Sequence, residues 1–191
     1  MEPRQLRAAI ASARQNSAEG YRALLEAYGP RLYGYFYRAT GDHHDAEDLV
    51  GEVMLRLVRE LKRYDERGRF EPWLFRVAAN ALRDRIRRRR SRPAGQSLSA
   101  GADSDWASNL PDDGPDPDAP AEAEEASEQL NRAMDRLDET TRQMILLRHF
   151  GQLSFREVAE LTGQPLGTVL ARVHRGIRQL RRIMGADDGT E

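Results

Sequence analysis

Ser154-Phe155-Arg156-Glu157-Val158-Ala159-Glu160-Leu161, followed by Gly163-Gln164-Pro165 and then by Thr168-Val169-Leu170-Ala171-Arg172-Val173-His174-Arg175, is the stretch that decides the fold. Ser154 with Glu157 three residues on makes a capping box. Val158 and Leu161 supply an apolar stripe, Gly163 can end the helix, and Pro165 suits the first turn of the next. Val169, Val173, Ile177 and Leu180 then recur at helical spacing and leave Thr168, Arg172, Arg175, Gln179 and Arg182 on the opposite face. This is the pattern of a helix-turn-helix, whose second helix enters the DNA major groove. The plainer alternative is two amphipathic helices whose arginines only solvate an outer face. Turn length and cap placement favour the DNA reading.

Upstream, charge is segregated along the chain. Between Arg76 and Arg92 the residues Arg76, Arg83, Arg85, Arg87, Arg88, Arg89, Arg90 and Arg92 face a single acid, Asp84. From Pro93 to Ser127 the balance reverses: Asp103, Asp105, Asp112, Asp113, Asp116, Asp118, Glu122, Glu124 and Glu125 occur with no basic residue, among many Pro, Gly, Ala and Ser. Such a composition cannot bury a core and reads as a disordered acidic linker. The chain therefore divides into a helical domain at 1–92, the linker at 93–127, a helix-turn-helix domain at 128–185 and a disordered tail at 186–191. Strand patterning and internal repeats are absent, so the expected fold class is all-α: two small helical domains joined by a flexible acidic linker.

The length of 191 residues allows two such cores. No apolar run is long enough to cross a membrane and Met1-Glu2-Pro3-Arg4 lacks a signal-peptide core, so the protein is expected to be cytoplasmic, with no membrane insertion. The absence of cysteine excludes disulfides, thiolate nucleophiles and cysteine-ligated zinc. Lys62 is the one lysine among 30 basic residues; an arginine-only set suits bidentate phosphate and guanine contacts and is equally the mark of a GC-rich genome. With no phosphate-binding glycine loop and no histidine in a nucleophile or metal signature, an enzyme is disfavoured, and no cofactor or metal is expected.

The N-terminal domain opens with Tyr21, Leu24, Leu25, Tyr28, Leu32, Tyr35 and Phe36 at helical spacing, and Gly29-Pro30 is expected to bend or split this helix. Asp42 can cap a second helix, whose Ala46, Leu49, Val50, Val53, Leu57 and Leu61 form a buried stripe. Its other face carries Asp45, Glu47, Asp48 and Glu52, in part simply acid at a positive helix N-terminus. His43 and His44 beside Asp45 and Asp48 suggest a metal site only weakly, since adjacent histidines point to different sides of a helix. A third helix runs from Phe70 to about Arg90. Phe70, Trp73, Leu74, Val77, Leu82 and Ile86 give it apolar mass, with Arg76, Asn80, Arg83 and Arg87 along one side. A basic stripe beside aromatics suits single-stranded nucleic acid, and equally a helix whose rings are core.

Together Asp45-Ala46-Glu47-Asp48-Leu49-Val50-Gly51-Glu52-Val53, Phe70-Glu71-Pro72-Trp73-Leu74-Phe75-Arg76-Val77-Ala78-Ala79-Asn80 and the closing helix-turn-helix resemble a bacterial RNA polymerase sigma factor of the extracytoplasmic-function (ECF) type, in the sigma-70 family. The resemblance covers both domains and implies that they are sigma-2 and sigma-4, which bind core polymerase, melt the minus-10 element and read the minus-35 element. It implies that Asp45, Glu47, Asp48 and Glu52 dock on the clamp helices of the beta-prime subunit, with the beta flap a further polymerase contact. The loop from Tyr64 to Arg69, with Arg67 in it, would hold a flipped non-template base, and the minus-10 residues of the helix that follows, Phe70, Trp73, Arg76, Asn80, Arg83 and Arg87, would stabilise the melted strand. Thr168, Ala171, Arg172 and Arg175 would face the minus-35 groove, with Arg178, Arg181 or Arg182 nearer phosphates. The partners implied are core RNA polymerase, promoter DNA and an anti-sigma factor.

The chain departs from that pattern in places. Gly51 stands where glutamine is usual, at a cost of up to about 1 kcal/mol of helix stability relative to alanine. Leu170 and Ala171 replace the common lysine and serine, which shifts minus-35 specificity onto Arg172 and Arg175. Trp106 and Leu110 have no assigned role, and the acidic linker reads either as an RNA mimic or as an inert spacer. A flexible linker of about 35 residues has an r.m.s. span of roughly 30 to 35 Å, yet reaches over about 100 Å when extended. It can span promoter elements without measuring their spacing, so polymerase must set it. The alternative is a stand-alone helix-turn-helix regulator that binds a palindromic duplex without polymerase.

Overall fold

The computed structural model describes residues 1–65, 69–91 and 121–185, and every regular element among them is helical. Arg67, the linker residues Trp106 and Leu110, and the tail from Ala186 lie outside the described residues.

Helix α1, Pro3–Arg14, has no counterpart in the sequence reading. Its signals were local: Pro3 sits at the first helical position, and the Glu2 amide donates to Gln5 Oε1 at 3.2 Å. Ala9, Ile10 and Ala13 are buried against α2, Ala18–Thr40. A Cβ on Gly20 would lie 2.3 Å from the Ala13 amide nitrogen, so only glycine lets the two backbones approach this closely. Arg14 Nε donates to the Leu61 carbonyl at 3.2 Å and its Nη2 to the Tyr64 carbonyl, fastening α1 to the following layer.

The expected break at Gly29-Pro30 does not split α2, which runs continuously through Pro30. Burial of Leu24, Tyr28, Leu32, Tyr35 and Phe36 along the whole helix outweighs the one backbone hydrogen bond proline forfeits. Gly41 ends α2 at φ 69°, and Asp42 caps α3, His43–Glu60, its Oδ1 accepting from the Asp45 amide at 2.9 Å. A 3₁₀ turn, Leu61–Arg63, leads toward α4, Phe70–Ser91, whose Phe70, Leu74, Phe75, Ala78 and Leu82 close the first half of the core.

The second half contains α5 (Ala121–Asp135), α6 (Glu139–His149), α7 (Phe155–Thr162) and α8 (Leu166–Ile183). Helix α5 starts inside the stretch read as linker. Glu125 and Glu128 are good helix formers in its first half. Leu130, Ala133, Met134, Leu137, Met144, Leu147, Val158, Val169 and Val173 supply the apolar mass.

The two halves do not stand apart. Their buried residues form one apolar cluster, with α2 against α6 and Phe75 of α4 against Gly151, where a Cβ would lie 3.1 Å from the Phe75 ring.

Candidate nucleic-acid interface

The helix-turn-helix forms as its caps dictate. The Ser154 amide donates to Glu157 Oε2 at 2.8 Å and the Glu157 amide to Ser154 Oγ at 3.2 Å; Gly163 closes α7 in the left-handed region at φ 66°. Partial burial works to raise the Glu157 carboxyl, but hydrogen bonds from the Ser154 amide and hydroxyl and from Arg69 outweigh it and hold its pKa below the usual range.

On α8 the buried face is Val169, Val173, Gly176 and Leu180. Ile177, read from spacing as part of that stripe, is exposed. Gly176 takes its place because a Cβ there would come within 2.6 Å of Thr141 Cγ2 on α6, and only a bare backbone fits so close. The face turned outward presents Ala171, His174, Arg175 and Arg178, with Thr168 half-buried at its edge. Arg172 is half-exposed beside them, its Nη1 3.1 Å from Asp138 Oδ1 and 3.4 Å from Thr141 Oγ1, tying α8 to the start of α6. Gln179 does the same one edge along, donating to the Arg136 carbonyl at 3.1 Å. Asp138 is the α6 cap, and the Thr141 hydroxyl at 2.6 Å is the first cause of its lowered pKa, ahead of the Arg172 charge.

His174 is the residue that sequence reasoning passed over. Its ring stacks on Phe155 at 6.4 Å, and Arg148 covers Phe155 at 4.5 Å to the ring centroid. Its position three after Ala171 and four before Arg178 was the available signal.

On α4 the predicted basic side is formed: Arg76, Asn80, Arg83 and Arg87 are all exposed, with Arg83 Nη1 donating to Asn80 Oδ1 at 3.2 Å. Tyr64 and Phe70 are core instead, packed edge to face at 5.7 Å, with Phe70 also 5.4 Å from Tyr28. Trp73 is half-buried on the rim of this cluster, 4.8 Å from Tyr64. An aromatic set this apolar gains more from burial than from waiting in water for a base.

The acids of α3 separate into two kinds. The Asp45 side chain is 8% exposed and holds Arg85 Nη2 at 2.6 Å and Arg89 Nη2 at 2.5 Å. Glu52 holds Arg56 at 2.5 Å and Arg88 at 3.3 Å. Partial burial works to lower the Arg85 pKa, but Asp48 and Asp45 outweigh it and raise it. Asp48 keeps 64% of its side chain exposed although Arg85 reaches it at 2.8 Å, and Glu47 is half-buried beside His44. Further along the same helix Leu55 is 60% exposed, and nothing lies within 4 Å of a Cβ placed on Gly51. His43 lies tilted against Tyr37, ring centroids 4.3 Å apart, with its Nδ1 2.5 Å from Tyr33 Oη. Among the described residues no cluster of His, Asp and Glu is placed to hold a metal.

Asp45→Ala therefore leaves Arg85 and Arg89 with a half-desolvated charge excess. It is expected to lower stability by about 1 to 3 kcal/mol, read as a lower urea midpoint.

Residues 24–92 match the family Sigma-70 region 2, and residues 127–180 match Sigma-70, region 4. RNA polymerase sigma factor CarQ of Myxococcus xanthus is 32% identical over 172 residues, covering 90% of this chain and 93% of that protein. ECF RNA polymerase sigma factor SigE of Mycolicibacterium smegmatis is 34% identical over 158 residues, 83% of this chain, which spans 59% of that relative's length. Among solved structures, the sigma factor RpoE of Bartonella quintana in complex with the anti-sigma factor NepR shares the fold. Its TM-score is 0.64 at 18% identity, over 89% of this chain and 99% of that one. No described helix is long and apolar enough to cross a membrane.

Proposed function

The chain belongs to the extracytoplasmic-function type of the sigma-70 family of RNA polymerase sigma factors, and from that membership we propose a division of labour among its exposed faces. As a sigma factor it binds core RNA polymerase and directs promoter-specific initiation, melting the minus-10 element and recognising the minus-35 element. It is a DNA-binding regulator rather than a catalyst.

The observation that carries the division is that two helices, α4 and α8, each bury one face in the core and present arginines on the other. Arg76, Asn80, Arg83 and Arg87 take the melted minus-10 strand, with Trp73 at the rim as the stacking ring and Tyr64 and Phe70 shaping the pocket from beneath. Flipping a base out of the duplex costs a few kcal/mol, which stacking and phosphate contacts offset. Ala171, Arg175 and Arg178, joined by His174 and flanked by Thr168, enter the minus-35 groove, and Arg172 orients the helix by holding Asp138. Asp48 and Glu47, continued by Leu55, dock on the beta-prime clamp helices, while Asp45 and Glu52 hold α3 to α4. The C-terminal half meets the beta flap, and a protein of the anti-sigma kind bound by RpoE of Bartonella quintana regulates the chain.

Run-off transcription from a genomic promoter library, with core polymerase in the presence and absence of the chain, tests this reading. Transcripts are expected only when both are present, with two shared upstream elements. If none appears while the chain alone shifts a specific palindromic duplex, the stand-alone regulator replaces it.

A further inference from the structure

Helix α1 lies ahead of residues 24–92, the segment that matches Sigma-70 region 2, and its last turn carries a side chain that reaches beyond α2. Arg14 is half-buried, and its guanidinium fork spans the 3₁₀ turn Leu61–Arg63. Its Nε donates to the Leu61 carbonyl at 3.2 Å and its Nη2 to the Tyr64 carbonyl. Tyr64 is where the chain leaves that turn, in extended conformation at φ −65° and ψ 126°, so its carbonyl continues no helical ladder. The Tyr64 amide closes back on the Leu61 carbonyl at 3.2 Å. The backbone of Tyr64 is therefore held on one side by its own turn and on the other by a charge from α1, and charge-assisted hydrogen bonds are the stronger kind.

Arg14 issues from a fixed base. The bare backbone of Gly20 lets α2 close on Ala13, and Ile10 is buried in the same contact, so α1 cannot slide without opening it. What Arg14 fixes is in turn the support of an aromatic wall. The buried Tyr64 ring stands 4.8 Å from Trp73 and packs edge to face on Phe70 at 5.7 Å, and Phe70 and Trp73 are 5.6 Å apart. Trp73 is the half-buried member of the three and the one that faces partly outward.

We propose that Arg14 is a positioning residue for promoter melting: by clamping the Leu61 and Tyr64 carbonyls from α1, it sets Tyr64 against Trp73 and pre-organises the ring on which an unstacked minus-10 base settles. The inference rests on the assignment of Trp73 as the stacking ring. A base leaves the duplex at a cost, and a platform already in place offsets it, whereas one that must first be ordered does not. Two carbonyls across one turn suit the planar guanidinium fork, so lysine, a single point charge, replaces arginine only in part.

The chain has two tryptophans, Trp73 and Trp106, so Trp106→Phe in the full-length chain leaves Trp73 as the reporter. In that background Arg14→Ala is expected to shift Trp73 emission to the red and to increase its quenching by acrylamide. On a promoter carrying 2-aminopurine in the minus-10 element, saturating holoenzyme with Arg14→Ala should open the strands roughly tenfold more slowly, with binding of core polymerase and of a minus-35 duplex unchanged. Arg14→Lys should recover part of the rate, and it carries the same comparison if alanine at 14 disturbs folding. Arg14→Ala combined with Trp73→Ala should open no more slowly than Trp73→Ala alone, because the arginine acts through that ring. A purely structural Arg14 would lower the urea midpoint and leave Trp73 emission and the opening rate per bound holoenzyme as they are. That result, or additive losses in the double variant, would overturn the proposal while a slow Trp73→Ala upholds the functional assignment. Opening at the wild-type rate by Trp73→Ala would overturn that assignment instead, and the inference with it.

Discussion

Asp48→Arg is expected to reduce transcription by the reconstituted holoenzyme at least about 100-fold while the chain keeps its helical content and melting temperature. Juxtaposed like charges at a docking face cost several kcal/mol, and about 2.8 kcal/mol already corresponds to two decades of affinity. The folded state loses little, because the partner of Asp48, Arg85, keeps Asp45 at 2.6 Å, and an exposed ion pair contributes about 1 kcal/mol or less. Asp45→Ala should show the opposite signature: reduced stability, with transcription per folded molecule largely preserved. Titrating core polymerase against each variant, with a thermal melt beside it, separates the two. Full transcription by Asp48→Arg would remove Asp48 from the docking surface.

The second large effect concerns the recognition helix. Arg175→Ala should weaken promoter use about 5- to 150-fold and relax base preference at one minus-35 position, the signature of losing a bidentate contact worth about 1 to 3 kcal/mol. Arg172→Ala should instead loosen the α8 to α6 tie through Asp138 and Thr141 and lower the stability of the C-terminal half, with base preference retained. Transcription from a library randomised across the minus-35 element gives both answers. An Arg172 variant that changes the preferred bases, beside an Arg175 variant that does not, would exchange the two roles.

Most of the helix boundaries legible in the sequence carry local signals. The Ser154–Glu157 box, the Asp42 cap, the Gly163 end and the start of α4 at Phe70 are set by residues within one turn of one another, and each stands where its spacing puts it. Helix α1 carried the same kind of signal in Pro3 and Gln5 and went unread because its apolar face is mostly alanine. Periodicity was weaker on faces. A 3.6-residue repeat allows 176 or 177 as the inward position on α8, and the approach of Thr141 selects Gly176. Likewise an acid stripe on α3 and a basic stripe on α4 were each visible, but nothing in one dimension says that they face each other.

The order of residues along the chain was thus sufficient for the helical class, the helix-turn-helix and the sigma-70 resemblance, since caps, turn chemistry and family motifs act through near neighbours. Which polar residues are paired within the fold was decided by packing. Asp45 and Arg172 meet partners 40 and 34 residues away, and Tyr64 and Phe70 are drawn into the core. The junction of the two halves is of the same kind: Arg31 meets Phe150 across 119 residues, and such a contact exists only once both helices have folded and their apolar faces have met.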